Sequence, residues 1–199
     1  MITTEQIKEL RDQTGVSVMQ CKKALEEAGG DLAKALVILR KKSGDIAAKR
    51  GDRTFGAGTI QAYVHATGNV AAMVTLMCET DFVSGNEEFK TLARDIAMHV
   101  TALNPKFLTT ADVTDEVKAT AKEVFVNEIK DQLQNKPKEM QEKILEGKLA
   151  TYMSEMVLMD QPFIKNQDIT IKGLIDNAVQ KFGEKIAIGK FVRMNALDR

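Results

Sequence analysis

The spacing of apolar residues changes along this chain, and the change limits the folds that it can adopt. Before residue 56 and after residue 86, apolar residues recur mostly every three or four positions, which is typical of amphipathic helices. Between these segments they recur at every second position, which is typical of strands with one buried face. The alternating residues are Ile60, Ala62 and Val64 before a turn at 66–69, and Val70, Ala72, Val74, Leu76 and Cys78 after it. A last strand is marked by Ile186, Ile188, Lys190 and Val192. We therefore predict an α+β protein with a small antiparallel three-stranded sheet packed with helices.

Three short helix patterns precede the strands. The segment Thr3-Thr4-Glu5-Gln6 offers a cap for the first helix, the second begins at about Ser17, and Asp31 caps the third. Glycines end the first two helices at Gly15 and at Gly29-Gly30. Three such helices within residues 1–42 have the size and punctuation of a ubiquitin-associated-type (UBA-like) bundle. From Arg40 to Arg53, six Lys or Arg then stand against Asp45 and Asp52, and the apolar residues thin out to Ile46 and two alanines. We place a basic linker at residues 43–55 and interpret it as a solvated tether with room for some helix.

Residues 56–199 are predicted to form a core domain with a helical hairpin. Two long amphipathic patterns lie on either side of Asn135-Lys136-Pro137, where the proline breaks the helix. A short connection between two long amphipathic helices favours an antiparallel, coiled-coil hairpin at about 115–158. This hairpin is expected to project from the core.

Several classes of function lack their sequence signals here. The net charge is zero and the chain has two Tyr and no Trp, which disfavours nucleic-acid binding. Phosphate-binding glycine motifs are missing, and His65 and His99 share no metal-ligand spacing with each other or with a cysteine. Cys21 and Cys78 are expected to be free thiols, and no window reaches the roughly 18 apolar residues of a membrane span. We therefore expect a cytoplasmic binding protein that is not an enzyme, uses no cofactor or metal, and contacts neither nucleic acid nor membrane.

The residues Thr80-Asp81-Phe82-Val83 follow directly after the second strand of the predicted hairpin. An aromatic side chain at such a loop is either part of the core or a wedge that is offered to a partner. Spacing alone favours the core for Phe82. Asp81 has the same two interpretations, because a carboxylate at a helix start can also be an N-cap.

A series of motifs in this chain resembles the elongation factor Ts family. In order, they are Leu10–Gly15, Cys21–Leu25, Asp31–Leu39, Cys78–Val83, Ile96–Val100, Lys136-Pro137, Ile144–Lys148 and Gln161–Phe163. The resemblance covers essentially the whole chain and is closest to the compact family members, which carry one core subdomain. It implies guanine-nucleotide exchange on elongation factor Tu during translation elongation. The protein would bind elongation factor Tu in its GDP-bound and nucleotide-free forms and would promote GDP release by displacing the phosphate- and magnesium-binding elements.

The same resemblance implies roles for individual residues. Phe82 would insert between two helices of the partner's GTPase domain, and Asp81 would hold the helix edge, within the signature loop that Thr80 and Val83 complete. Arg11, Met19 and Lys22 match family positions on the N-terminal bundle that face elongation factor Tu; the ordinary alternatives are two solvated cations and a core methionine.

Two histidines and the quaternary structure complete the predictions. The family uses core histidines as partner contacts, which makes His65 and His99 candidates. The strand pattern puts His65 opposite Ile60 and its neighbours and predicts that it is exposed, while His99 lies on an apolar helix face where a half-buried histidine is the alternative. The resemblance also implies a homodimer that pairs through the core sheet.

A rival hypothesis is a scaffold in which the UBA-like bundle and the helical hairpin bind another protein without nucleotide exchange. A third class, an RNA-binding translation factor, is disfavoured by the neutral charge and the few aromatics. The first two hypotheses differ at Phe82. A wedge tolerates truncation to Ala without loss of folding, whereas a core Phe does not.

Overall fold

The computed structural model describes residues 2–133 and 137–198, and it confirms the α+β class. The helices are α1 (Thr4–Thr14), α2 (Val18–Glu27), α3 (Leu32–Lys49), α4 (Asp81–Ser84), α5 (Glu87–Leu103), α6 (Asp115–Leu133), α7 (Lys138–Met156) and α8 (Ile171–Phe182). The strands are β1 (Ala57–Val64), β2 (Val70–Cys78), β3 (Pro162–Phe163), β4 (Asn166–Thr170) and β5 (Ala187–Asn195). Single 3-10 turns lie at Thr110–Asp112 and Leu158–Asp160.

The first three helices begin close to their predicted starts, and each has a side-chain cap. The hydroxyl of Thr3 accepts a hydrogen bond from the N–H of Gln6 and the Gln6 side chain accepts one in return, so α1 has a complete capping box. Ser17 and Asp31 cap α2 and α3. Their shared core consists of Leu10, Val16, Cys21, Ala24, Leu25, Ala35 and Leu39. The predicted N-terminal helical bundle therefore has an apolar centre of its own.

Helix α3 continues to Lys49, so residues 43–49 of the predicted linker are helix, for which the prediction left room. They are not a solvated tether, because they contact the core domain. Ser43 is buried, and its hydroxyl hydrogen-bonds to Gln180 on α8 and to the carbonyl of Leu39. Ile46 and Ala47 pack against the main core. The basic side chains that suggest a tether lie on the same helix as the contact residues Ser43, Ile46 and Ala47. Because these contact residues are few, the composition of the segment did not indicate that it packs against the core.

The three-stranded sheet has the order β1-β2-β5, with both pairs antiparallel. As predicted, β2 turns one face inward, and that face packs with α5 and α8 in the main core. Its buried residues are Ala72, Val74, Leu76 and Cys78, next to Phe89, Ile96, Val100, Ile171 and Ile175. The β2–β5 register shifts between Thr75 and Leu76, which pair with Lys190 and Ile188, so a β-bulge interrupts the alternation of β5. Ile188 is therefore buried while Val192, four residues later, is exposed.

The apolar residues of β1 face outward, which the alternating pattern alone could not show. We call the outer sheet face the set of exposed residues Ile60, Ala62, Val64, Met73, Val192 and Met194. The strands align them across the sheet: Ala62 pairs with Met73, and Met73 pairs with Val192. The inward side of β1 is only partly buried and includes Tyr63. A period of two thus gave the strand correctly but not the face that the core covers.

Helices α6 and α7 form the predicted hairpin, which is held by a small cluster around Leu145. Phe125 and Tyr152 meet edge to face, with ring centroids 5.3 Å apart. Of the predicted break, Pro137 directly precedes α7, and Asn135 and Lys136 lie outside the described residues. The β3–β4 pair beyond the hairpin was not predicted, because β4 is largely polar and has no alternation.

Candidate functional site

Phe82 lies on α4, a single helical turn between the end of β2 and the start of α5, and its side chain is 84% exposed. The neighbouring Val83 is 5% exposed and belongs to the main core. The core interpretation of Phe82 is therefore wrong, and Val83 supplies the apolar contact that holds the turn. The buried Val83 side chain thus attaches this loop to the main core. Residues 79–83 are here called the Phe82 loop.

Local hydrogen bonds account for the shape of this loop. Thr80 is the N-cap of α4, since its hydroxyl accepts a bond from the N–H of Val83 at 3.4 Å. Asp81 is exposed at the first helical position, so the N-cap alternative for Asp81 is wrong and Thr80 has that role. The N–H of Gly85 donates to the Asp81 carbonyl at 2.8 Å, and Asn86 caps α5. The exposed carboxylate and aromatic ring are thus presented on a turn that is closed at both ends.

Two carboxylates that sequence reasoning missed hold the base of the Phe82 loop. Glu184 Oε2 accepts from the N–H groups of Glu79 (2.9 Å) and Thr80 (3.0 Å), and Glu184 Oε1 accepts from the Thr80 hydroxyl (2.5 Å). In the reverse direction, Glu79 Oε1 accepts from the N–H of Lys185 at 2.5 Å. We call this reciprocal pair the carboxylate clamp. No local motif could reveal it, because its two halves are more than 100 residues apart in sequence.

The clamp is tied to the segment that follows α3. Arg53 Nη1 donates to both carboxylate oxygens of Glu79 at 3.2 and 3.3 Å. The Lys185 N–H and then Arg53 hold the pKa of Glu79 below its usual value. Lys185 Nζ donates to the carbonyls of Gly51 and Arg53 and lies 4.4 Å from the centre of the Phe55 ring. These contacts fix much of the second half of the predicted linker against the loop.

The candidate residues of the N-terminal bundle are exposed. Met19 is 66% exposed on α2, so the core alternative for it is wrong. Val18 beside it and Val37 on α3 are also exposed apolar side chains. Arg11 is exposed on α1, and Lys22 forms a loose ion pair with Glu26 at 3.9 Å.

A cleft lies between the N-terminal bundle, α8 and α5, the helix that follows the Phe82 loop. Gly15, at the end of α1, lies against the Lys181 side chain, which pairs with Glu88 Oε2 at 2.9 Å in the first turn of α5. The cleft between these elements is about 330 Å³ in volume. The end of α1 therefore lies beside α8, whose Lys181 pairs with the first turn of α5.

The two candidate histidines are not brought together with Phe82. His65 is exposed, as predicted, but for a different reason: it follows the end of β1 and does not lie on an outward strand face. Its Nδ1 lies 3.5 Å from the Tyr63 hydroxyl. The Phe82 loop lies at the other end of the β1–β2 hairpin, where Ala57 pairs with Cys78. Eight residues of strand separate the two ends by about 26 Å at roughly 3.3 Å per residue.

His99 is fully buried on α5, which corrects its prediction as a partner contact. Its Nδ1 accepts from the N–H of Ile164 at 3.2 Å, so Nε2 carries the proton and donates to Gln161 Oε1 at 2.8 Å. Burial lowers the pKa of this imidazole, and the bond to Gln161 opposes that shift. A neutral His99 thus connects α5 to the segment that leaves the helical hairpin.

Across residues 2–133 and 137–198, no group of His, Cys, Asp or Glu side chains could hold a metal ion. Cys21 and Cys78 are buried, and burial raises the pKa of both thiols. Within the same residues, none of the helices combines the length and the apolar character that crossing a membrane requires. Exposed apolar side chains in the described part of the chain include Phe82, Met19 and those of the outer sheet face.

Comparison with known proteins gives the same family along the whole chain. The family model described as elongation factor TS matches residues 4–196. Elongation factor Ts of Thermodesulfovibrio yellowstonii is 47% identical over 192 residues, which cover 96% of this chain and 94% of the relative. The protein of the same name from Carboxydothermus hydrogenoformans is 44% identical, covering 97% and 88%, and that from Fervidobacterium nodosum is 42% identical, covering 97% of both. The chain therefore belongs to the elongation factor Ts family of translation elongation factors.

Proposed function

We propose that this protein is a guanine-nucleotide exchange factor that binds elongation factor Tu in its GDP-bound form and promotes GDP release in the cytoplasm. The observation that carries the proposal is the 84% exposure of Phe82 on a loop that is hydrogen-bonded at both ends. A large apolar ring that is held away from its own core is available to a pocket on a partner. Asp81, exposed beside it, can accept hydrogen bonds from the edge of a partner helix.

Exchange by such a wedge needs no catalytic acid, base or metal. If the ring fits only where the phosphate- and magnesium-binding elements of the partner are displaced, wedge and nucleotide oppose each other. This negative coupling is reciprocal, so GDP weakens the wedge as much as the wedge weakens GDP. A coupling of about 4 kcal/mol changes nucleotide affinity roughly a thousandfold.

The N-terminal bundle supplies a second contact in this proposal. Met19, Val18 and Val37 are exposed apolar side chains of this bundle, here called the apolar patch, and the exposed cations Arg11 and Lys22 lie on the same bundle. Such a patch beside charged side chains is typical of a protein interface. His65 stays a candidate contact at the far end of the sheet, whereas His99 is left out because it is buried.

We also propose that two copies of the chain pair through the outer sheet face. This face consists mainly of Ile, Val and Met side chains on three aligned strands. A contiguous apolar face on a sheet favours association, and a twofold axis would place the same residues on both sides of the contact.

The exchange proposal is tested by the release of a fluorescent GDP analogue from purified elongation factor Tu. We expect the wild-type protein to accelerate release, and the Phe82→Ala variant to lose at least about 30-fold in kcat/KM, since an interface hot spot contributes about 2 kcal/mol or more. Leu197→Ala is the matched control, because Leu197 is 79% exposed near the C-terminal end. A folded wild-type protein without effect at several concentrations would leave the scaffold hypothesis.

A further inference from the structure

The Phe82 loop begins just beyond the last backbone pair between β2 and β5. The last β2–β5 pair is Met77 with Ala187. The N–H groups of Glu79 and Thr80 lie beyond it, and both donate to the carboxylate of Glu184. In return, the N–H of Lys185 donates to Glu79. Side-chain carboxylates thus replace the backbone ladder at the point where the loop leaves the sheet.

The same carboxylate fixes the residue that starts α4. Thr80 donates two hydrogen bonds to the Glu184 carboxylate, one from its N–H and one from its hydroxyl. The hydroxyl oxygen of Thr80 also caps α4. The N-cap residue satisfies an otherwise unpaired N–H of the first helical turn and so stabilises the start of the helix. Phe82 comes two residues after Thr80, so the carboxylate position sets the direction in which the ring leaves the surface.

Apart from the carboxylate clamp, the position of the Phe82 ring depends on the single turn of α4 and its buried Val83. Helix α4 is a single turn, the ring itself is exposed, and Val83 is the buried side chain of that turn. Charge-assisted hydrogen bonds are roughly twice as strong as neutral ones, and Glu184 provides three acceptor contacts. A loop that is held in its bound shape loses less entropy on binding.

We propose that Glu184 is a positioning residue for the Phe82 wedge, a role that rests on the proposed exchange function. It touches neither nucleotide nor partner in this mechanism. It holds the N-cap of α4 so that the ring meets the partner in the productive direction, and displacements of about 1 Å at such contacts can lower rates a hundredfold.

The test is a double-mutant cycle measured as kcat/KM for GDP-analogue release from elongation factor Tu. Glu184→Ala removes all three acceptor contacts, and we expect a loss of about tenfold. Glu184→Gln is the conservative variant, because its amide oxygen can accept from both N–H groups while its amide NH₂ donates to the Thr80 hydroxyl. We expect it to stay within about threefold of the wild type. In the Phe82→Ala background, Glu184→Ala should change the rate by less than about twofold, since the wedge it positions is gone.

Two controls separate positioning from charge and from stability. Glu87→Ala removes an equal charge close to the loop, from a carboxylate that pairs with Lys90 at 2.8 Å, and should leave the rate unchanged. Hydrogen–deuterium exchange of the Glu79 and Thr80 amides should speed up in Glu184→Ala and provides a readout that does not depend on the partner. If Glu184→Ala unfolds, Glu184→Asp takes its place, because it keeps the charge but shortens the side chain by one methylene.

The outcomes are distinct. A wild-type protein that does not accelerate release rejects the exchange function itself. If wild type and Phe82→Ala behave as expected, positioning is rejected by a Glu184→Ala rate equal to wild type. It is also rejected by an equal loss in the Phe82→Ala background, which indicates general destabilisation, or by an equal loss in Glu87→Ala, which indicates charge.

Discussion

Phe82 and Val83 are neighbours in sequence with opposite roles, and truncating each to Ala should separate folding from function. Phe82 is 84% exposed, so Phe82→Ala should change the free energy of unfolding by less than about 0.5 kcal/mol, as at most surface positions. Val83 is 5% exposed within the main core. Removing two methyl-sized groups there costs about 1.6 kcal/mol in transfer free energy at roughly 0.8 kcal/mol each, and a residual cavity raises the cost to about 2–3 kcal/mol.

Urea titration gives both free energies of unfolding directly, and thermal unfolding offers a second measurement. For a chain of 199 residues, each kcal/mol shifts the midpoint by about 2–4 °C. Val83→Ala should therefore melt about 4–12 °C lower than the wild type, and Phe82→Ala within about 2 °C of it. Exchange activity, measured where both variants are folded, should follow the reverse order, with Phe82→Ala the more impaired.

The reasoning is refuted if Phe82→Ala lowers the free energy of unfolding by more than about 1 kcal/mol, because the ring would then be packed in the folded protein. It is refuted equally if Phe82→Ala is stable and still active in exchange. In that case an exposed ring on a fixed loop would be present without being the wedge. A Val83→Ala variant as stable as the wild type would show that the loop is not anchored to the core through this side chain.

The remaining predictions concern pH, association and the N-terminal contact. Burial lowers the pKa of His99 in the folded state, so as the pH falls the unfolded state takes up a proton at a higher pH than the folded state does. The free energy of unfolding should therefore have its full value above about pH 6.5 and decrease below it. The decrease should be smaller in His99→Gln when urea unfolding is measured from about pH 7.5 to 5.5. Met73→Lys, at the centre of the outer sheet face, should make the protein monomeric in sedimentation velocity without loss of helix content, whereas a dimer that persists would place the contact elsewhere. Met19→Ala should weaken binding to elongation factor Tu by about tenfold in calorimetry with an unchanged melting temperature, and unchanged binding would remove the apolar patch from the interface.

Helix caps and hydrophobic periodicity were sufficient to predict most of the elements. Thr3 and Asp31 cap α1 and α3 as expected, α2 begins next to Ser17, and β2 buries the predicted face. These features depend on residues within a few positions of each other, which is why a single sequence contains them. The orientation of β1 was not predictable in the same way, because alternation defines two faces and only the positions of α5 and α8 decide which one is covered.

In the candidate site, too, features that depend on neighbouring residues were predictable and features that depend on distant contacts were not. The resemblance pointed to the Phe82 loop, and the structure shows that its ring is exposed and that Thr80, not Asp81, caps α4. Glu184 was missed because its contacts span about 105 residues and involve backbone N–H groups, which have no sequence signature. His99 was assigned to the surface by resemblance, although its neighbours on an apolar helix face indicated burial, and the packing around it agrees with those neighbours.

The length of α3 changes how the two proposed contacts would work together. With a flexible tether at 43–55, the N-terminal bundle and the Phe82 loop would search for the partner almost independently, and their cooperation would depend on the effective concentration set by the tether. The structure instead continues α3 to Lys49, packs its second half on α8, and holds the carbonyls of Gly51 and Arg53 with Lys185. Lys185 also belongs to the carboxylate clamp, so the segment that leads out of the bundle and the base of the wedge loop share one anchor. Both contacts are therefore presented in a fixed relation before binding, and the entropy that a tether would lose in the complex is already lost on folding.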